Sequence, residues 1–516
     1  MKRVASYIII LATASTMAGG CKKDIHGRTD DTGPLTPANI DLTAGTWKPV
    51  LLTRPDTFAV ASPAATNASG YVGELNEIKG LQANMTKDQE KQVKYWSAGG
   101  IMRWNEIMRE LVAKHNLPPY QNEDGTYPIP NSANPFNYPE FPFSNPPYAA
   151  RAYAYISAAQ YDALVACWYY KKQYNRPAPY KTDAGINAMA GQTDLPSYPS
   201  EAAVMAGVTA EMMKLLFPTE IGAIDLKAQE QENAAIMAGA ATRSDVIAGE
   251  ALGRQVAQVF IARAKADNAG KAVGTQADWT ALEQMCIAKG ETPWYSLESP
   301  KRPPMLPLFG KVKAFLFDSA TVASLCPTAP PSTSSTDMQQ DADEVYSYTK
   351  NPTRENIRIV QFWADGVGTY TPPGHWDAIA AEDFIAKNYS EVRWARNMAL
   401  LNMSMMDAAI VCWYTKYNYS NPRPTQVNPN IKTLTGIPNF PSYISGHSTF
   451  SGAAATILGY LVPERASAYN DMAQEASFSR LAGGIHYKRD CTVGLDVGTS
   501  IGNYAVTRAQ NDGAGQ

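Results

Sequence analysis

Ala159-Gln-Tyr-Asp162-Ala-Leu-Val-Ala-Cys167-Trp168-Tyr-Tyr-Lys171 and Ser404-Met-Met-Asp407-Ala-Ala-Ile-Val-Cys412-Trp413-Tyr-Thr-Lys416 are one stretch written twice, 245 residues apart. Asp, Cys, Trp and Lys recur in register, with small or apolar residues between them. The same offset lays Leu195-Pro-Ser-Tyr-Pro-Ser200 on Phe440-Pro-Ser-Tyr-Ile-Ser445. Self-similarity kept over such a spacing marks repeated supersecondary units. Ala- and Met-rich runs with helical periodicity surround it, as in Glu201 to Phe217, Leu226 to Ala240 and Ser244 to Ala266, and no stretch reads convincingly as a sheet. The fold is expected to be all-α, two related helical bundles made by internal duplication.

A chain of 516 residues exceeds one ordinary core. The expected organisation is an export signal over 1–20, a linker and irregular lead-in over 21–70, an N-terminal bundle over 71–270, a connecting segment over 271–345 and a C-terminal bundle over 346–512. The Pro/Ser/Thr-rich stretch from Pro327 to Asp337 suggests an exposed connector. Lys2-Arg3, an apolar run from Tyr7 to Met17 and Ala18-Gly19-Gly20 form the signal pattern. Its ending before Cys21 is similar to the lipobox of bacterial lipoproteins. That resemblance implies a lipidated Cys21 and an exported protein, periplasmic or tethered at the outer membrane, touching the membrane only through its anchor. After the signal, no segment has the 18 or so apolar residues a spanning helix needs.

A net charge of −3 without a long basic run argues against a nucleic-acid partner. The remaining five cysteines, Cys167, Cys286, Cys326, Cys412 and Cys491, are an odd number and form no disulfide framework. Cys167 and Cys412 suit buried apolar positions, and Cys286 with Cys326 is the one pair considered for a bridge.

Three segments of the second copy concentrate the chemistry: Lys416 to Pro424, Pro441 to His447 and Ser479 to Asp490. Lys416, Arg423 and Arg480 supply the fixed positive donors that a tetrahedral oxyanion needs, Arg as a planar fork and Lys as a point charge. Ser445-Gly446-His447 precedes an apolar run, so it is expected at a helix N-terminus, where free N–H groups and the dipole favour an anion. His447 is the candidate acid/base residue. Gly483-Gly484 should end the helix that carries Arg480 and start the next near His486, placing His486 and Asp490 at i and i+4 on one face. Asp490 would then hold one ring nitrogen and direct the other into the site. Phe362-Trp-Ala-Asp365-Gly-Val-Gly-Thr-Tyr-Thr-Pro-Pro-Gly-His375-Trp376 suggests a shaped loop over the site, with Asp365 balancing the cations and His375 either structural or functional. In the first copy, Ala202, Ala235 and Ala241 stand where the second has His447, Arg480 and His486, so only the second can react.

The set Lys-x6-Arg-Pro, Pro-Ser-x-x-Ser-Gly-His and Ser-Arg-x5-His-x3-Asp resembles the superfamily that unites vanadium-dependent haloperoxidases with type 2 phosphatidic acid phosphatases and bacterial acid phosphatases. The duplication, Phe440-Pro-Ser-Tyr and the Trp-Ala-Asp-Gly loop are most similar to the haloperoxidase branch. That resemblance implies a vanadate cofactor whose oxygens are held by Lys416, Arg423, Ser445, Gly446 and Arg480, with His486 as the vanadium ligand. It implies that His447 assists hydrogen peroxide, that halide is oxidised, and that Phe440 tunes the halide; Asp365 and Asp490, read from the residues themselves, complete the candidate catalytic set. The same pocket suits phosphate: an acid phosphatase using a phosphohistidine at His486 is the alternative. A binding protein that keeps only the fold is a third possibility, but no motif residue is missing.

Overall fold

The computed structural model describes residues 32–117, 123, 145–191, 194–298 and 301–515. The expected signal and Cys21 lie outside the described residues. Among those described there are helices and no strand. In the first copy the long helices are α1 (Pro146–Tyr174), α2 (Glu201–Leu216), α3 (Ile221–Met237) and α4 (Arg243–Lys265). In the second they are α5 (Glu391–Tyr419), α6 (Gly446–Leu461), α7 (Ala466–Ala482) and α8 (Lys488–Gln510). Each of the second set starts and ends 245 residues after its counterpart. No residue was gained or lost between them.

Local chemistry sets these ends. Ser200 and Ser445 cap α2 and α6, their hydroxyls accepting the N–H of Ala203 and Ser448. α1 and α5 stop at Asn175 and Ser420, both in the left-handed conformation (φ 45° and 48°). α3 begins at Ile221 rather than near Leu226, because Pro218 opens a 3₁₀ turn that runs straight into it.

α1 and α5 are the spine and pack against each other. Ser157 and Asn402, themselves 245 apart, meet there, Asn402 Nδ2 donating to Ser157 Oγ at 3.2 Å. A pseudo-twofold axis therefore passes between them. One apolar core spans both copies, with Trp168, Trp363, Trp376 and Trp413 all buried in it. Asp377 joins this axis through Asn105 (2.6 Å) and Asn402 (3.3 Å).

The repeated aspartates explain the segments outside the bundles. Buried Asp162 accepts the N–H groups of Val50, Leu51 and Leu52, and buried Asp407 those of Phe315 and Leu316. Each spine helix thus clasps an extended segment through one carboxylate. Burial raises both groups, Asp162 to about 6 and Asp407 to about 7, although the donated N–H groups oppose it. The lead-in around Trp47 and the connecting segment around Phe309 are consequently part of the core, not loose tethers. Even the Pro327–Asp337 stretch is engaged, since Pro327 and Thr328 carbonyls accept from Tyr419 and Tyr443 hydroxyls.

Within each copy, α2 meets α4 and α6 meets α8 at glycines. A Cβ on Gly253 would run into the carbonyl oxygen of Val204, and one on Gly498 into that of Thr449. These contacts set the height at which α8 presents Asp490. Gly498→Ala should destabilise the protein by roughly 1–3 kcal/mol, read as the midpoint of urea unfolding; an unchanged midpoint would show that the two helices can part there freely.

Candidate active site

The last turn of α5, the 421–445 segment, the start of α6, the end of α7 and the turn into α8 converge on one point. Lys416 hangs from α5, and its ammonium donates to the carbonyls of Pro441 and Ser442, both at 2.9 Å, and of Ile444 at 2.5 Å. All three of its protons go to backbone oxygens. Lys416 is therefore a strut for the 441–444 segment as well as a charge beneath it, a departure from its expected place on the oxyanion. Burial, followed by Arg423 nearby, lowers it to about 7.

Arg423 donates from Nε to Phe440 O at 2.9 Å and from Nη1 to Ile485 O at 2.7 Å, while its Nη2 is buried with no partner. Arg480, on α7, donates from Nη2 to Trp363 O at 2.6 Å and from Nε to Ser479 Oγ at 2.8 Å. Burial lowers both arginines to about 10, so both stay charged. Phe440 lies with its ring centre 5.0 Å from Lys416 Nζ and from the Arg423 guanidinium carbon. Its π face and its carbonyl both serve the cations.

His486 differs from expectation in placement but not in partner. Gly484, at φ +80°, turns the chain, and α8 begins only at Lys488, so His486 sits in the turn and not on a helical face. Asp490 is the third residue of α8, and its Oδ2 accepts from Tyr487 N (3.3 Å), the Ser442 hydroxyl and His486 Nδ1 (2.9 Å). With Nδ1 donating to a carboxylate, Nε2 carries the lone pair. Arg423 Nη1 donates toward it at 3.0 Å. Burial, then the surrounding cations, holds His486 well below the usual histidine range, and burial raises Asp490 to about 6. Ser442 was not singled out in the sequence, though its pairing with Asp490 fixes this arrangement.

Ser445 caps α6, leaving the N–H groups of Gly446 and His447 in the unpaired first turn. His447 Nε2 stands 3.5 Å from Asp365 Oδ2, near enough for an ion pair but without hydrogen-bond alignment. Burial and then Arg480 lower His447 to about 4, against the pull of Asp365. The Asp365 loop is shorter than expected: Pro372 and Pro373 open a helix, Thr371–Lys387, that contains His375. Asp365, at φ +44°, faces His375 as well as His447. Burial works against its ionisation, yet the two imidazoles hold it well below the usual carboxylate range. Asn116 straps the loop, donating to the carbonyls of Gly366 (2.9 Å) and Thr369 (3.1 Å).

The result is a buried, donor-rich pocket with one imidazole lone pair and a second imidazole kept neutral. Such a pocket can take a tetrahedral oxyanion, attack or ligate its centre, and move a proton beside it.

Its image in the first copy is a cavity of about 170 Å³ lined by Ala178, Ala202, Ala235 and Ala241. These stand at the positions of Arg423, His447, Arg480 and His486. Ala178 is a fourth loss, beyond the three expected. Glu201 replaces Gly446, accepting from Trp168 Nε1 at 2.7 Å and lying 3.8 Å from Lys171. The five described cysteines outside the signal are all free, so Cys286 and Cys326 are not bridged.

Residues 397–513 match the family model of the PAP2 superfamily, a span holding every site residue but Asp365. Among solved structures the chain is similar to a bacterial vanadium-dependent iodoperoxidase, with a TM-score of 0.57 and 22% identity over 79% of this chain and 96% of that one. It is also similar to a bacterial vanadium-dependent chloroperoxidase in its holo form, with a TM-score of 0.50 and 12% identity over 75% of this chain and 97% of that one. No protein of curated function matches. At these identities the likeness establishes the fold.

Two outcomes follow from the geometry. Orthovanadate should bind once per chain by calorimetry, His486→Ala should abolish binding, and Asp490→Asn should weaken it about 10–100-fold; two sites, or full affinity in His486→Ala, would place the site elsewhere. The lowered His447 also has a pH signature. The folded protein refuses a proton that the unfolded chain takes near 6.5, so this contribution to stability is complete above 6.5 and is lost as pH falls toward 4. Between those values the wild-type stability should fall faster with acid than that of His447→Gln by about 1.4 kcal/mol per pH unit, as measured by urea unfolding.

Proposed function

We propose that this PAP2-superfamily enzyme, built on the vanadium-haloperoxidase fold, is a vanadate-dependent haloperoxidase that oxidises halide with hydrogen peroxide. The observation that carries the proposal is the His486 ring: Nδ1 is committed to Asp490, so Nε2 turns its lone pair to the cations, where Arg423 Nη1 donates to it at 3.0 Å and would give way to an incoming centre. The residues present fit the cofactor. Arg423 Nη2 is a buried donor without a partner, the first turn of α6 offers N–H groups, and the surrounding charge is positive. His486 would ligate vanadium, and Arg423, Arg480, Ser445 and the Gly446 N–H would hold vanadate oxygens. Lys416 would add its charge from below. Bound vanadate supplies the Lewis acidity that activates peroxide toward halide.

The protein's own contribution is positional and electrostatic. Arg423 and Arg480 are fixed by backbone carbonyls before any ligand arrives, so little reorganisation is needed. His447, neutral above about pH 4, can take a proton from peroxide as it binds. Phe440 closes one wall, and its proximity to two cations suits it to influence which halide approaches.

Support for a peroxidase over a phosphatase is the likeness to a haloperoxidase structure over 79% of this chain, more than the C-terminal copy alone accounts for. Purified protein given orthovanadate, hydrogen peroxide and iodide or bromide should halogenate monochlorodimedone. Absence of turnover with every halide, together with hydrolysis of p-nitrophenyl phosphate that vanadate inhibits, would assign the site to phosphomonoester hydrolysis through His486.

A further inference from the structure

We infer that the cavity of the first copy is a binding site for a compact, neutral aromatic alcohol, a phenol, whose hydroxyl bridges Lys171 and Glu201. This site is separate from the His486 pocket and independent of the reaction that runs there. Alanines at 178, 202, 235 and 241 leave a space of about 170 Å³ where the second copy is filled by arginine and histidine side chains. Apolar cavities of about 150 Å³ stay dry and take up benzene. Trp168 and Met205 also wall the space, a ring and a thioether that suit an aromatic guest. A second recess of about 110 Å³, lined by Val93 and Trp96, shares Ala202, Met205 and Ala235 with it, so the apolar space continues beyond one ring. Leu35, Tyr180 and Leu195 line the cavity and are themselves partly exposed, which marks its mouth.

The polar floor selects the guest. Lys416 gives its three ammonium protons to carbonyls, whereas its counterpart Lys171 gives one, to the carbonyl of Pro196. Beside it, Glu201 accepts the Trp168 indole N–H on Oε1 at 2.7 Å. Its Oε2 stands 3.8 Å from Lys171 Nζ and has no hydrogen bond among the described residues. The two side chains are only 3% and 11% exposed. A buried ammonium with protons to spare thus lies beside a carboxylate oxygen with lone pairs to spare. One hydroxyl serves both: an oxygen about 2.8 Å from each spans the gap, accepting from Lys171 and donating to Glu201 Oε2.

Charge excludes the other classes of guest. Lys171 and Glu201 cancel, so an anion would meet the carboxylate and an ammonium would meet the lysine. Glu391 is also in the wall, but its two oxygens are spent on the N–H groups of Gly100 and Ile101. A phenol stays neutral in neutral solution, because such a hydroxyl titrates near about 10.

The test is a ¹⁹F NMR titration of the full chain with 4-fluorophenol at neutral pH, beside fluorobenzene, 4-fluorobenzoate and 4-fluorobenzylammonium. The phenol should saturate one site, and fluorobenzene, which lacks the hydroxyl, should bind about tenfold or more weakly. Both charged analogues should also bind about tenfold or more weakly, since each would bury a charge beside a like one. Ala202→Phe and Ala235→Leu, which fill the cavity, should each abolish phenol binding, whereas orthovanadate should leave it unchanged. Near-ultraviolet circular dichroism shows whether each variant keeps its fold; if one does not, the other variant and the analogue series on the wild type decide. No saturable binding of the phenol, a charged analogue that binds as tightly, or full phenol affinity in a folded variant overturns the proposal.

Discussion

Lys416, Arg423 and Arg480 are buried together, and among the described residues none of the three forms an ion pair. Their N–H groups go mainly to backbone carbonyls, and their charge is offset only at a distance, by Asp490 for Lys416 and Arg423 and by Asp365 for Arg480. Desolvated cations without a counter-ion in direct contact are costly to hold. The other properties of the pocket follow from that cost: neutral histidines, lowered lysine and arginine, and the unpartnered Arg423 Nη2. An oxyanion would relieve all of them at once.

The carbonyls that hold the cations come from segments that are not helical, and those segments are positioned by the spine. α5 delivers Lys416 from below, α6 presents its N-terminus, and α8 brings Asp490 to His486 at a height fixed by the Gly498 contact. The clasp at Asp407 anchors the connecting segment to α5, where Met305 meets the Trp413 and Tyr417 side chains. Site and scaffold are therefore one construction, and damage to α6–α8 packing should be felt at His486.

Much of this was legible in the sequence because the two copies kept their spacing without drift. The offset of 245 located the spine, the silent half and most of the donor set. Ala178 lies away from the His-bearing segments, and its signal is the alignment of Pro177-Ala-Pro179 with Pro422-Arg-Pro424. The placement of His486 was missed because Gly483-Gly484 marks the end of α7 but does not mark the start of α8, which depends on Asp490 capping Tyr487. Pro372-Pro373 suggested a loop where it opens a helix, since proline suits a first turn as well as a bend. The clasping roles of Asp162 and Asp407 have no local signature: the partners lie about ninety to a hundred and twelve residues away in sequence. Irregular segments without periodicity looked like tethers for that reason.

The silent copy carries one more lesson. Restoring arginine and histidine at Ala178, Ala202, Ala235 and Ala241 would not rebuild a second pocket, because Glu201 sits at the opening turn of α2 and already takes the Trp168 indole and the neighbourhood of Lys171. A resident carboxylate at a helix N-terminus competes with any incoming anion. An anion entering the first half would meet a fixed carboxylate where the second half offers the backbone of Gly446, and replacing the four alanines leaves that carboxylate in place.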